Sequence, residues 1–162
     1  MDSAGIHSQS GSNVDFYLVR HGEAVLHGAD SQRPLTPDGR EGVTRVAQAA
    51  AERNILIAEI VHSGILRAQE TAEILAEYLS PLSGVRPISG LLPEDDPMLV
   101  KAELEAAQDP LMLVGHLPCM GRLTALLVSG DPDRNVVQFA PATLACCSRE
   151  NSLWKVSWVL TS

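Results

Sequence analysis

Leu111-Met112-Leu113-Val114-Gly115-His116 reads as the strongest strand of the chain. Four apolar residues in a row leave no polar face to turn outward, so the strand is buried on both sides, as central strands of parallel sheets are. It stops at Gly115-His116. A helix follows from Leu117, with Pro118 in its first turn and Leu117, Met120, Leu123 and Leu127 on one face. A strand of this kind needs helices above and below it and parallel partners beside it, and the rest of the sequence supplies both.

Upstream, Val14-Asp15-Phe16-Tyr17-Leu18-Val19 is a β-branched and aromatic run that ends at Arg20-His21-Gly22. Thr36-Pro37 then offers an N-cap with proline at the first helical position, and Val43, Val46, Ala47 and Ala50 recur at helical spacing to about Arg53. Ile57 to Val61 is a second strand ending at His62-Ser63-Gly64, and Ala68, Ala72, Leu75 and Leu79 mark the stripe of a second helix. A third strand lies near Val85 to Ile88, and Asp96-Pro97 repeats the cap-and-proline start for a helix to about Ala107. The tail changes character. Leu144 to Cys147 and Leu153 to Leu160 read as an antiparallel hairpin around a polar turn, with Trp154, Val156 and Trp158 packing on one strand face. This succession predicts an α/β fold: a three-layer α/β/α sandwich with a mostly parallel central sheet, right-handed crossovers and a C-terminal antiparallel hairpin.

The 162 residues, 45% hydrophobic and 20% charged, suit one domain, expected over residues 14–162 behind a flexible Ser-, Gly- and Asn-rich leader at 1–13. A formal net charge of −8 argues against nucleic acid as a partner, because displacing phosphate counterions takes clustered Lys and Arg. No apolar run approaches the ~20 residues that cross a bilayer and the start lacks a signal-peptide layout, so no membrane association is expected and the localisation is read as cytoplasmic. Cys119, Cys146 and Cys147 form an odd set, read as reduced thiols, with nothing around them suggesting a thiolate nucleophile.

In open parallel sheets ligands bind beyond the carboxyl ends of the strands. There the first strand delivers Arg20 and His21, the second Ser63 with Arg67 one helical turn on, and the fourth His116. Any one of these alone is more simply a structural residue, but two arginines and two histidines at one edge suit a phosphoryl dianion. Guanidinium forks bind its oxygens in bidentate fashion, and the helix N-termini after Gly64 and His116 add backbone donors.

Arg20-His21-Gly22-Glu23, Leu35-Thr36-x-x-Gly39, Ser63-x-x-x-Arg67-Ala68-x-x-Thr71-Ala72 and Gly115-His116 together resemble the histidine phosphatase superfamily, the phosphoglycerate-mutase-like group. Length, Arg33-Pro34-Leu35-Thr36 and His116-Leu117-Pro118 look most like its SixA-type phosphohistidine phosphatases. The resemblance implies a hydrolase in which His21 attacks phosphorus and carries the phosphoryl group before water removes it. It further implies that Arg20, Arg67 and His116 hold the equatorial oxygens, while Gly22 lets the backbone approach the group and Arg33 and Ser63 contact substrate.

The family often supplies a carboxylate to the leaving group, and the candidates are Glu94 in Glu94-Asp95-Asp96 and Glu23, whose place in the motif suggests a structural hydrogen bond. A weak acid matters less when the leaving group is imidazole, with a reference pKa near 6.5. Short loops leave little material for a lid. The expected partner is therefore a phosphorylated protein carrying phosphohistidine. Two alternatives stay open: a broad small-molecule phosphomonoesterase or mutase taking small phosphate esters, and a catalytically silent phospho-binding module. No cofactor is expected and no metal, because His21, His62, His116 and Cys119 lie among arginines without a metal-ligand spacing. His62 is read as structural.

Overall fold

The computed structural model describes residues 13–162, so the expected leader lies outside the described residues apart from exposed Asn13. Six strands and four helices follow in the order β1 (Val14–Arg20), α1 (Pro37–Glu52), β2 (Glu59–His62), α2 (Leu66–Leu79), β3 (Val85–Pro87), α3 (Pro97–Ala106), β4 (Leu111–Gly115), α4 (Cys119–Ser129), β5 (Leu144–Glu150) and β6 (Leu153–Leu160). They form one sheet ordered β3-β2-β4-β1-β5-β6. The first four of these strands run parallel, and β5 and β6 join antiparallel beside β1. The expected α/β/α sandwich is the architecture found.

Alternation along each strand sorts its side chains into two cores. Tyr17, Val19, Ile60, Met112 and Val114 pack with Val43, Ala47, Ala68 and Leu75 of α1 and α2. Phe16, Leu18, Val61 and Leu113 pack on the other face with Val100, Leu104, Met120 and Leu123 of α3 and α4. Each large side chain fully buried in these layers stabilises the fold by roughly 1.5–3 kcal/mol.

The helix starts follow their capping signals. Thr36 Oγ1 accepts from Gly39 N at 2.8 Å, and Asp96 Oδ1 accepts from Met98 N at 3.0 Å. α4 begins two residues later than the sequence suggests, at Cys119, because Leu117 and Pro118 form a turn that lets the chain leave β4. The tryptophans also depart from expectation. Trp154 and Val156 pack in the α3–α4 layer, whereas Trp158 joins the α1–α2 layer. A register shift opposite Cys146/Cys147 explains this, since a bulge re-aims everything beyond it.

Strand order fixes the position of the site. β4 lies between β1 and β2, with Arg20 in register with Gly115 and His62 with Val114. His21 and His116 are therefore the first residues past neighbouring strands, and His21 N donates to Gly115 O at 3.0 Å.

Candidate active site

His21 has a defined tautomer. Its Nδ1 lies 2.7 Å from the carbonyl oxygen of Gly22, and Arg67 Nε reaches its Nε2 at 3.3 Å. A carbonyl only accepts and a guanidinium only donates, so Nδ1 carries the hydrogen and Nε2 a lone pair. Burial holds the ring's pKa down to about 4 against the opposing Gly22 hydrogen bond, and Arg67, Arg20 and Arg33 push it the same way as burial. The imidazole is neutral around pH 7, with Nε2 available as a base or nucleophile.

Gly22 sustains this arrangement. Its N–H donates to Thr71 Oγ1 at 3.0 Å, and Thr71 in turn donates to Arg67 O at 2.7 Å, so the amide is already used. A Cβ on Gly22 would lie 2.6 Å from Val43 Cγ2 and 3.1 Å from Gly39 O. Glycine here is what lets α1 pack against the loop.

His116 is 1% exposed, and its ring lies 5.0 Å, centroid to centroid, from that of His21. Ser63 Oγ sits 2.7 Å from its Nε2 and also accepts from Ile65 N at 3.2 Å. Its Nδ1 is buried with no hydrogen-bond partner among the described residues. Burial, then His21 and Arg67, press its pKa to about 3, so the ring is neutral. A phosphoryl dianion reverses the balance, because it favours the cation that the arginines oppose.

The arginines are set by backbone carbonyls. Arg20 gives NH1 to Phe139 O at 2.8 Å, and its Nε is buried without a partner among the described residues. Arg67, only 4% exposed, gives NH1 to Asp30 O at 2.7 Å, with NH2 3.6 Å from the Asp30 carboxylate. Arg33 joins through the same aspartate: NH2 donates to Asp30 Oδ1 at 3.0 Å and NH1 to Val25 O at 2.6 Å. Burial lowers the pKa of Arg20 and Arg67, yet both remain cations at any working pH. Two guanidinium groups beside His21 and His116 make a cationic cluster of the kind that binds a tetrahedral oxyanion.

The structure thus gathers His21, Arg20, Arg67, His116, Ser63 and Gly22, and links Arg33 to them through Asp30. It does not bring Glu94 in: that residue is exposed in the turn before α3 and contacts none of the others among the described residues. Glu23 accepts a hydrogen bond from Thr36 Oγ1 at 2.7 Å, at the start of α1. The donors expected at the start of α2 are also engaged, Gly64 N with His62 Nδ1 and Ile65 N with Ser63 Oγ. Asp30 was not singled out by sequence reasoning; its one signal was the i,i+3 spacing to Arg33.

Burial pushes the thiols of Cys119, Cys146 and Cys147 up to about 11, 12 and 12, which removes them as nucleophiles. No cluster of three or more His, Cys, Asp or Glu among the described residues could hold a metal, and no described helix is long and apolar enough to cross a membrane. A groove of about 690 Å³ runs beside the pocket, lined in part by Leu117, Pro118, Arg122, Arg134, Val137 and Phe139.

The profile of the histidine phosphatase superfamily (branch 1) matches residues 16–89. The chain is similar to the phosphohistidine phosphatase SixA of Escherichia coli, 32% identical over 123 residues that span 73% of this chain and 76% of that protein. An uncharacterized protein of Picosynechococcus is 36% identical over 125 residues, 72% of this chain and 74% of that one. Among solved structures, the protein histidine phosphatase SixA complexed with tungstate superposes with a TM-score of 0.83 at 27% identity, covering 91% of this chain and 96% of that one. A mycobacterial glucosyl-3-phosphoglycerate phosphatase, 19% identical with a TM-score of 0.67 over 90% of this chain and 97% of that one, shares the fold.

Proposed function

The chain belongs to the histidine phosphatase superfamily, and from that premise we propose that it dephosphorylates phosphohistidine on other proteins through a phosphohistidine formed at its own His21. The observation that carries this reading is the fixed tautomer of His21, with Nδ1–H on the Gly22 carbonyl and the Nε2 lone pair beside Arg67. Nε2 attacks phosphorus in line, the leaving group departs from the opposite side, and water then displaces His21. Arg20, Arg67 and His116 hold the equatorial oxygens, where charge builds as the phosphoryl group transfers. His116 gains a proton as the dianion enters. Ser63 orients its ring, and Gly22 and Thr71 position His21.

The substrate class follows from chemistry and access. Glu94 is exposed in a turn and makes no hydrogen bond or ion pair with the His21 cluster among the described residues, whereas an imidazole leaves without strong acid help. The groove beside Phe139 offers a place for polypeptide flanking the reacting residue. We place the protein in the cytoplasm, where its three unpaired buried thiols stay reduced.

Trapping tests the proposal. Brief exposure to a phosphohistidine protein should leave an acid-labile phosphoryl group on the wild type and none on His21→Ala, with kcat/KM of the variant down by ~10³ or more. Label that survives His21→Ala rejects the nucleophile. Faster wild-type turnover of p-nitrophenyl phosphate than of phosphohistidine rejects the substrate class.

A further inference from the structure

One charged group in the pocket has no part in the steps above. Asp30 sits in a single 3-10 turn, Asp30–Gln32, between β1 and α1. Its side chain is 68% exposed while the Arg67 side chain it contacts is 5% exposed, so the carboxylate lies at the mouth of a buried cationic pocket. Oδ1 takes the contacts from Arg33 at 3.0 Å and Arg67 at 3.6 Å. Both of these contacts are to Oδ1 rather than Oδ2. Arg67 presents Nε to the nucleophile and NH1 to the Asp30 carbonyl, so a single rigid guanidinium spans His21 and Asp30.

A carboxylate beside two arginines and a phosphate site repels the very dianion the site must admit. Its presence makes sense if the substrate also carries a positive charge. We propose that Asp30 Oδ2 accepts the distal ring N–H of the substrate phosphohistidine, so that the site selects a phosphoryl group borne on a protonated imidazole. The inference rests on the phosphohistidine reading above and names the residue that enforces it. Asp30 does for the substrate ring what the Gly22 carbonyl does for His21.

The transfer then balances without a general acid. The bond from phosphorus to the substrate nitrogen breaks as the bond to His21 Nε2 forms. The substrate imidazole leaves neutral, because its distal nitrogen already holds a proton. His21 becomes an N-phosphoryl imidazolium whose Nδ1–H stays on Gly22 O. Water next adds to phosphorus and keeps both hydrogens in the dihydrogen phosphate released, and His21 returns to its starting tautomer. Reactant and product rings are chemically alike in the first step, so donor and acceptor are nearly matched and no carboxylic acid is called for. A phosphate ester, whose leaving oxygen gathers negative charge, meets repulsion at the same carboxylate.

Asp30 is largely exposed, so Asp30→Asn and Asp30→Ser should both fold, as thermal melts will verify. The full chain is assayed with a phosphohistidine peptide and with p-nitrophenyl phosphate, and the ratio of the two kcat/KM values is followed with pH. The ratio should fall about tenfold or more in either variant, the usual scale for losing a charged hydrogen bond. The wild-type ratio should decline as pH rises through the titration of the substrate ring, and this decline should flatten in the variants. If Asp30 merely props Arg67, both substrates lose activity together and the ratio holds, which overturns the proposal. A wild type that does not favour phosphohistidine defeats the reading beneath it, whatever the variants do.

Discussion

At the scale of single residues, reactivity at His21 depends on hydrogen bonds that never touch substrate. The Gly22 carbonyl fixes the tautomer, and Gly22 is itself held by Thr71, whose hydroxyl is anchored on Arg67 O. Thr71→Ala orphans a buried amide, which costs roughly 1–3 kcal/mol. Urea denaturation should show that loss, and kcat should drop more than binding because the ring is freed rather than the pocket emptied. Thr71→Ser, which keeps the hydroxyl, should recover most of both. Motif reading had Thr71 in its pattern but no role for it, since a contact 49 residues away in sequence is invisible in spacing. The gathering of His21, Arg67 and His116 was legible because each ends a recognisable strand or starts a helix. Asp30 was not, because it sits on an irregular turn with no periodicity.

At the scale of elements, the catalytic loop and α1 are packed so closely that only glycines fit between them. Gly22 faces Val43, and a Cβ on Gly39 would run into the backbone oxygen of Glu23. Gly22→Ala should destabilise by about 1–3 kcal/mol and displace His21. Combining it with Val43→Ala should recover part of the loss, since the opposing atom is a side-chain methyl. Gly39→Ala should find no such rescue, because backbone blocks it. A double-mutant cycle by thermal denaturation measures both couplings. Helix starts could be read in advance from Thr36-Pro37 and Asp96-Pro97, where the cap is a local chemical event. The split of Trp154 and Trp158 between two cores could not, because a bulge depends on the partner strand.

For the whole molecule, a net charge of −8 surrounds one pocket of arginines and neutral histidines. His21 and His116 have folded pKa values of about 4 and about 3, against 6.5 when unfolded. Above pH 6.5 neither state holds the extra protons. Below it the unfolded chain takes them up first, so stability falls on acidification and keeps falling until the folded pKa values are passed. By pH 5 the penalty is at most ~2 kcal/mol for each ring. Urea midpoints at pH 7 and pH 5 should show the loss, and His116→Asn should lessen it. Inorganic phosphate should raise Tm, by binding only the folded pocket.

Strand order carries a consequence for how the protein is made. β1 and β2 emerge early from the ribosome yet never touch; the slot between them is filled by β4, whose first residue is the 111th. Until that strand is synthesised and inserted, the nucleophile and its histidine partner cannot meet, and two strand edges wait unpaired. A nascent chain therefore lacks the paired histidines of the site and is most at risk of sticking to its neighbours. Insertion of β4 ends the first condition, and pairing of β5 with the other edge of β1 ends the second.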